Sequence, residues 1–582
     1  MFAKFTNIVA ADAEFEFGGH NAVGERPRPV CAVFKELRTG KVVKIWRGEF
    51  GPTPPFPTGP DTLWIAFYSS AEWGCFKALD WPIPANVLDL FVEFRLRTNG
   101  LETPAGASLV GALTYFGLDC IGAGEKTDMR DLVLRGGPWS AAERTAILEY
   151  CLGDVLALER LLPAMASKID LPRALLRGRY MKAAASMEFA GLPIDTATLA
   201  LLRQHWDGIQ DELISAIDVD YNVFDGRTFK RDRWEDFLTK HKIPWPLLES
   251  GNIAASDSTF RTMAKAYPIV SPIRELRASL SEMRLNELEV GADGRNRRIL
   301  SAFRSRTGRN QPSNTKFIFG TAVWLRSLIQ PPPGYGVAYI DWSQQEFGIA
   351  AALPGDQAMM QAYLSGDPYL EFAKLARAVP PDATKKTHGP QRELFKSCVL
   401  GVAYGMGPLG LAARIGGPPI VARDLLRAYR ETFRVSWRWA DAAVDHALIH
   451  GSIHTVLGWR LHVAANPNPR SLRNFPAQSN GAELLRLACC FGTERGIEIV
   501  APVHDAVLIC APLDRLEADI AVMRAAMAEA SRIVLGGFEL RTDVMRVDYP
   551  ERFRDPRGDV TWTKVTELIS RRTNMPVPMG AE

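Results

Sequence analysis

Along the first 50 residues, apolar and polar positions alternate in short runs broken by turn residues, which predicts strands joined by turns. Between 139 and 166 the apolar residues recur at helical spacing instead, and one long helix is expected. Helical periodicity then dominates from about 175 to 300. Within that stretch SPIRELRASLSEMRLNEL sets Ile273, Leu276, Leu280 and Met283 on one face, leaving Arg274, Arg277 and Arg284 available to phosphates. Two apolar runs farther on end in aspartate. YIDWSQQEF reads as a strand ending at Asp341, and GIEIVAPVHDAVLICAP reads as a β-hairpin with Val503, His504 and Asp505 at its bend.

Composition narrows the class. At 582 residues the chain exceeds one ordinary core and suggests two to four domains, while 47% hydrophobic and 23% charged residues are those of a globular protein. The net charge of +3 is unevenly shared: residues 1–175 carry 18 Lys and Arg against 21 Asp and Glu, the remainder 51 against 45. A basic run at Arg227, Lys230, Arg231 and Arg233 reads first as a solvated face and second as a grip on duplex DNA. The cysteines at 31, 75, 120, 151, 398, 489, 490 and 510 form no CxxC pair and read as reduced, buried thiols. GPTPPFPTGP and QPPPGYG mark loops, and NMPVPMGAE reads as a frayed tail. No apolar run approaches the ~18 residues of a membrane span. A cytoplasmic protein is expected.

The strand-end aspartates carry the first chemistry. An aspartate where an apolar strand gives way to a turn is exposed on an anchored backbone, and two such carboxylates side by side suit two divalent cations roughly 3.5–4 Å apart. In QRELFKSCVLGVAYGMG, Arg392, Lys396, Leu400 and Tyr404 recur every fourth residue, so a helix would present two cations, then an apolar surface, along one face. Gly401 and Gly405 each weaken a helix interior by about 1 kcal/mol, which predicts that another group approaches the backbone there.

A second set of acids lies near the N-terminus. Asp12 and Glu14 are two apart on a predicted strand and share a face. Tyr150 and Asp154 are four apart on a predicted helix, and Asp89 in NVLDLF supplies a fourth acid.

Taken together, these frames resemble the family A DNA polymerases, the DNA polymerase I family. DWSQQE resembles motif A; Arg392, Lys396, Gly401, Tyr404 and Gly405 resemble motif B; Val503, His504 and Asp505 resemble motif C. Thr307, Gly308 and Arg309 match a primer-contacting pattern, and Arg470, Asn474 and Gln478 match residues that touch template and primer. The N-terminal acids resemble the DEDD 3′ to 5′ exonucleases of the tyrosine subclass, although the family often places an asparagine four residues before the third acid and Asn86 stands three before Asp89.

The resemblance implies an α+β chain: a ribonuclease-H-like exonuclease over residues 1–175, then a right-hand polymerase over 176–582, with its thumb to about 310 and palm and fingers after it. Asp341 and Asp505 would bind catalytic metals. Arg392, Lys396 and Gln344 would face the incoming triphosphate, Tyr404 and Leu400 its base and sugar, and Glu346 would exclude a ribose 2′-hydroxyl. His504 and Arg309 would lie at the primer terminus. In the exonuclease, Asp12, Glu14, Asp89 and Asp154 would hold two metals, and Tyr150 would orient the attacking water. Mg²⁺ is the implied ion, with Mn²⁺ as a substitute. The implied partners are primer-template DNA, deoxynucleoside triphosphates and replication accessory proteins, acting on a monomer that is bacterial or phage-encoded.

Three positions depart from the family pattern: Gly348 where arginine is usual, Leu400 where an aromatic is expected, and Ala506 where an acid is expected. These departures predict altered substrate selectivity. They also keep two rivals open, a polymerase of altered template or sugar choice and a DNA-binding replication scaffold retaining only nuclease activity. The length leaves no room for a separate 5′ nuclease domain upstream, so the chain is expected to begin within the proofreading fold.

Overall fold

A computed structural model describes residues 2–17, 24–119, 123–248, 250–282, 285–403 and 405–573. Tyr404, Cys120, Met283, Arg284 and the tail from 574 to 582 therefore lie outside the described residues. The chain forms two compact units, one of residues Met1–Gly191, Ile299–Gln311 and Val337–Arg546, the other of Leu192–Arg298, Pro312–Gly336 and Val547–Glu582.

The first unit opens with five strands: β1 (Asn7–Glu16), β2 (Arg28–Glu36), β3 (Val42–Trp46), β4 (Thr62–Ala66) and β5 (Asn86–Asp89). Their order in the sheet is β3-β2-β1-β4-β5. The β1/β2 and β2/β3 pairs are antiparallel, and β1/β4 and β4/β5 are parallel. All five residues of β4 (TLWIA) are buried, as expected where both faces of a sheet are covered. One face packs against the helix Ala141–Ala166, whose start is fixed by a capping box between Ser140 and Glu143. The other face carries an edge-to-face cluster of Phe34, Trp64, Trp73 and Phe76. Helices α1 (Ser70–Ala78) and α2 (Leu90–Thr98) follow β4 and β5 directly.

The same unit holds a second sheet of four strands, in the order Ile499–Val503, Ala506–Pro512, Tyr335–Trp342, Thr542–Asp548. Behind it runs the helix Pro469–Glu494, buried on all sides from Ser479 to Cys490. That helix contributes Leu484, Leu487 and Cys489 to a core shared with Ile340 and Trp342. The long helix, the hairpin and the strand ending beside Asp341 all stand where the hydrophobic pattern predicts them. The seven cysteines among the described residues are free and buried.

The second unit is mainly helical, with Thr196–Asp218, Arg231–Lys240, Asp257–Ala266, Ser271–Glu282 and the C-terminal Asp559–Thr573. Trp206 stacks on Trp324, with centroids 6.1 Å apart, and Arg552 bonds Asp195 at 2.5 Å. Ile273 and Leu276 are buried, as their spacing predicts. The expectation that Arg277 is available to phosphates is corrected: its guanidinium lies 4.1 Å from the Phe260 ring centroid and 4.4 Å from that of Phe229, and donates to the Ala255 carbonyl. In the basic run, Arg227 pairs with Asp207 and Asp211, and Lys230 with Asp225, so two of its four cations are balanced within the unit.

Candidate functional site

The four-stranded sheet brings Asp341 and Asp505 together. Asp341 lies one residue before the end of its strand, and Asp505 occupies a two-residue turn closed by the Val503–Ala506 pair. His504, the other turn residue, has φ 55, a conformation that favours glycine; a bulky residue held there is a mark of functional constraint. The Trp342 amide donates to the Asp505 carbonyl at 3.2 Å, which ties the strand end to the hairpin bend. Burial, then the charges of Asp505 and Asp543, push the Asp341 carboxyl up to about 6. Burial also raises Asp505, while His504 and Arg309 pull it back.

After Trp342 the chain turns through Gln344, at φ 49 and ψ 46, into the helix Gln345–Ala352. The segment 541–543 clasps that turn. The Arg541 carbonyl accepts from the Ser343 amide, Asp543 accepts from the Ser343 hydroxyl at 2.6 Å, and an Arg541 guanidinium nitrogen donates to Gln344 at 3.2 Å. Asp543 was not visible as a candidate in the sequence, because only sheet pairing places it beside Asp341.

Glu346 pairs with Arg309 at 3.3 Å. Arg309 is delivered by the turn at Gly308, whose φ of 75 and close approach by Trp459 and Arg486 leave little room for a side chain. A cavity of about 510 Å³ opens here, lined among others by Gln344, Glu346, Leu400, Asn474, Gln478 and His504. Asn474 and Gln478 are one turn apart on the Pro469–Glu494 helix. Opposite stand Trp437 and Trp439, which the sequence reading missed.

The motif B cations are engaged elsewhere. Arg392 bonds Asp367 and, at 2.5 Å, Glu393, which also pairs with Lys396 at 3.5 Å. The glycines find their neighbours within the protein: an added Cβ would meet Leu411 at 3.1 Å from Gly401, and the Arg470 side chain at 3.1 Å from Gly405, where φ is 65. At Gly348 a Cβ would lie 2.3 Å from a terminal methyl of Leu540 and 3.1 Å from the Tyr363 ring, so any side chain there needs its neighbours to shift. Ala506 is fully buried.

The five-stranded sheet carries the second group. Asp12 and Glu14 leave the same side of β1, and the Ala141–Ala166 helix crosses beside them, where the Cys151 thiol donates to the Asp12 carbonyl. Burial and the charges of Asp154, Glu14 and Asp12 raise the Tyr150 phenol. Asp89 is held by the backbone around it, within electrostatic reach of Glu72. It caps α2, and its oxygens accept from the amides of Tyr68, Ser69 and Val92 and from the Ser69 hydroxyl, at 2.7–3.2 Å. A further acid that stands with Asp12 and Glu14 is Glu72, in the first turn of α1.

Glu72 is 4% exposed, its Oε2 is buried with no hydrogen-bond partner, and burial followed by Asp12, Asp89 and Glu14 pushes its carboxyl well above the usual range. The signal that could have found it is an acid in the first helical turn after a wholly apolar strand, because sites form at the carboxyl ends of parallel strands. Both groups offer hard carboxylate oxygens, the donors that Mg²⁺ and Mn²⁺ prefer, and an orphaned buried carboxylate oxygen fits a cation. Among the described residues, no three His, Cys, Asp or Glu are already gathered in metal-binding geometry, so an ion would draw the carboxylates in.

The model of DNA polymerase family A matches residues 250–545. DNA polymerase I of Chloroflexus aurantiacus is 24% identical over 445 residues, covering 70% of this chain and 47% of that protein. DNA polymerase I of Aquifex aeolicus is 24% identical over 440 residues, covering 68% and 74%. The DNA polymerase of Escherichia phage T5 is 25% identical over 313 residues, covering 45% and 36%. The chain thus spans about half the length of the Chloroflexus relative. In fold it resembles the POL domain of Pol1 from M. smegmatis, solved in complex with DNA primer-template and dNTP, with a TM-score of 0.70, 18% identity and coverage of 93% and 94%. No helix among the described residues is long and apolar enough to cross a membrane.

Proposed function

Given that the chain belongs to DNA polymerase family A, we propose that it extends a DNA primer along a DNA template and removes mismatched 3′ ends, with residues 1–175 as the exonuclease domain and 176–582 as the polymerase. The observation that carries the polymerase reading is the juxtaposition of Asp341 with Asp505, which lines a 510 Å³ cavity. These two carboxylates would hold the divalent ions, Mg²⁺ or Mn²⁺, which when bound supply Lewis-acid activation of the attacking and leaving oxygens. Little covalent work remains for the protein in such a transfer. Positioning and neutralisation of charge dominate.

Arg309 and His504 would orient the primer end, and Asn474, Gln478 and Arg470 the template and primer strands. Glu346, fixed by Arg309, walls off the space beside the sugar, and Leu400 packs against it. Arg392 and Lys396 would exchange Asp367 and Glu393 for phosphate oxygens when a triphosphate arrives. Tyr404 joins them by the resemblance alone.

The exonuclease reading rests on Asp12, Glu14, Asp154 and Glu72 around the C-terminal half of the central strand β1, with Tyr150 among them to hold the attacking water. Primer extension with deoxynucleotides on DNA, with ribonucleotide and RNA-template arms alongside, tests the polymerase half of the proposal, and shortening of a mismatched primer without nucleotides tests the other half. Extension on DNA with deoxynucleotides alone supports the first. Extension in the other arms would favour a polymerase of altered choice, and no extension in any arm would favour a binding scaffold.

A further inference from the structure

Away from both acidic groups, the first unit contains a cleft of about 580 Å³ between the C-terminal end of α2, the start of the helix Leu171–Ala190 and the hairpin of strands Ser452–His454 and Arg460–His462. Its walls are firmly joined. Asn99, which ends α2, donates to the carbonyls of Arg460 and Arg306 at 2.7 Å and accepts from the His462 amide at 2.8 Å. A Cβ on Gly100 would lie 2.2 Å from the His462 carbonyl, so the backbones meet as closely as chemistry allows.

The lining is cationic and only partly balanced. Arg177 is bound by Glu93 through two bonds of 2.7 and 2.9 Å, and Arg173 by Asp170 at 3.0 Å. Arg97, Lys168 and Arg460 have no carboxylate partner among the described residues, which leaves three positive charges at one opening. One guanidinium nitrogen of Arg97, Nη1, is buried without an acceptor. A desolvated donor on a fixed cation is costly unless an anion reaches it. Between the cations lies an apolar floor that includes Tyr115, Leu96 and Met165.

We propose that this cleft binds a phosphorylated nucleotide, its phosphate held by Arg97, Lys168 and Arg460 and its base laid on the floor at Tyr115. The volume lies within the roughly 300–1,000 Å³ of small-molecule sites, and the pairing of unbalanced cations with an apolar surface matches the two halves of a nucleotide. The phosphate could belong to a free nucleotide or to a DNA strand passing over the cleft, and the experiment separates the two.

The full-length protein, held in EDTA so that neither acidic group is loaded, is titrated with dAMP and separately with a short oligodeoxythymidylate. Wild type is compared with Lys168→Gln/Arg460→Gln, both at exposed positions that leave the fold intact, and with Lys41→Gln, at the exposed turn between β2 and β3, as a control elsewhere. Saturable dAMP binding weakened about tenfold or more by the double variant but not by the control supports a free-nucleotide site. The same loss confined to the oligonucleotide assigns the phosphate to a strand. Binding that is absent in both arms, or equal in wild type and double variant, overturns the proposal. Arg97→Gln provides a second variant with the same expectation.

Discussion

The amide of Trp342 bonded to the carbonyl of Asp505 at 3.2 Å ties two distant segments into one corner, so the backbones that carry Asp341 and Asp505 stay adjacent as long as the sheet is intact. The cost of that arrangement is electrostatic. Asp341 is pushed to about 6 by burial and by the charges of Asp505 and Asp543.

Metal-free stability should therefore depend on pH in a defined direction. A carboxyl near 6 in the folded chain and near 3.9 when unfolded holds its proton more tightly when folded, so its ionisation lowers stability as pH rises from about 4 to about 6. In EDTA, Asp341→Asn should be more stable than wild type at pH 8 by about 1 kcal/mol, allowing for solvent screening, and equal to it near pH 4. Denaturant melts at the two pH values measure this, and a variant that is less stable at pH 8 contradicts it.

Glu72→Gln should slow shortening of a mismatched primer by about 10–100-fold while leaving extension intact. Asp89→Asn should act chiefly on stability, through loss of its capping and buried bonds, by about 1–2 kcal/mol. Equal nuclease losses without any loss of stability in the Asp89 variant would reverse the two assignments.

Restoring arginine at Gly348 should destabilise the chain by about 1–3 kcal/mol or more, because its Cβ would collide with Leu540. Leu540→Ala should relieve part of that cost in the double variant. Thermal melts of the three proteins give the coupling directly, and simple additivity would place the conflict elsewhere.

Leu400 lines the cavity where the family carries a ring. Leu400→Phe should change the ratio of dideoxy- to deoxynucleotide incorporation about tenfold or more, the scale of one added apolar contact in a binding site. An unchanged ratio means that Leu400 does not pack beside the sugar.

Much of the architecture was legible because period and punctuation carry it. The hairpin around Asp505, the strand ending beside Asp341 and the helix Ala141–Ala166 each follow from local pattern. Asp89 and Glu72 show where local reading stops. Both follow apolar strands, and only the parallel pairing of β4 with β1 reveals that Glu72 opens towards Asp12 while Asp89 turns back to cap its own helix. Asp543 and the Leu540 contact that crowds Gly348 come from the strand Thr542–Asp548 and the residues just before it, some two hundred residues away in sequence and beyond any local signal. The pairing of Arg392 with Asp367 is hidden for the same reason.

The most direct test of the account is primer extension with Mg²⁺ on a DNA template, comparing wild type with Asp341→Asn and Asp505→Asn, with and without deoxynucleotides. The account predicts extension by wild type, extension reduced to background in both variants, and primer shortening by all three proteins when nucleotides are withheld. Extension at the wild-type rate by either variant would contradict the central claim that this pair of aspartates forms the polymerase centre.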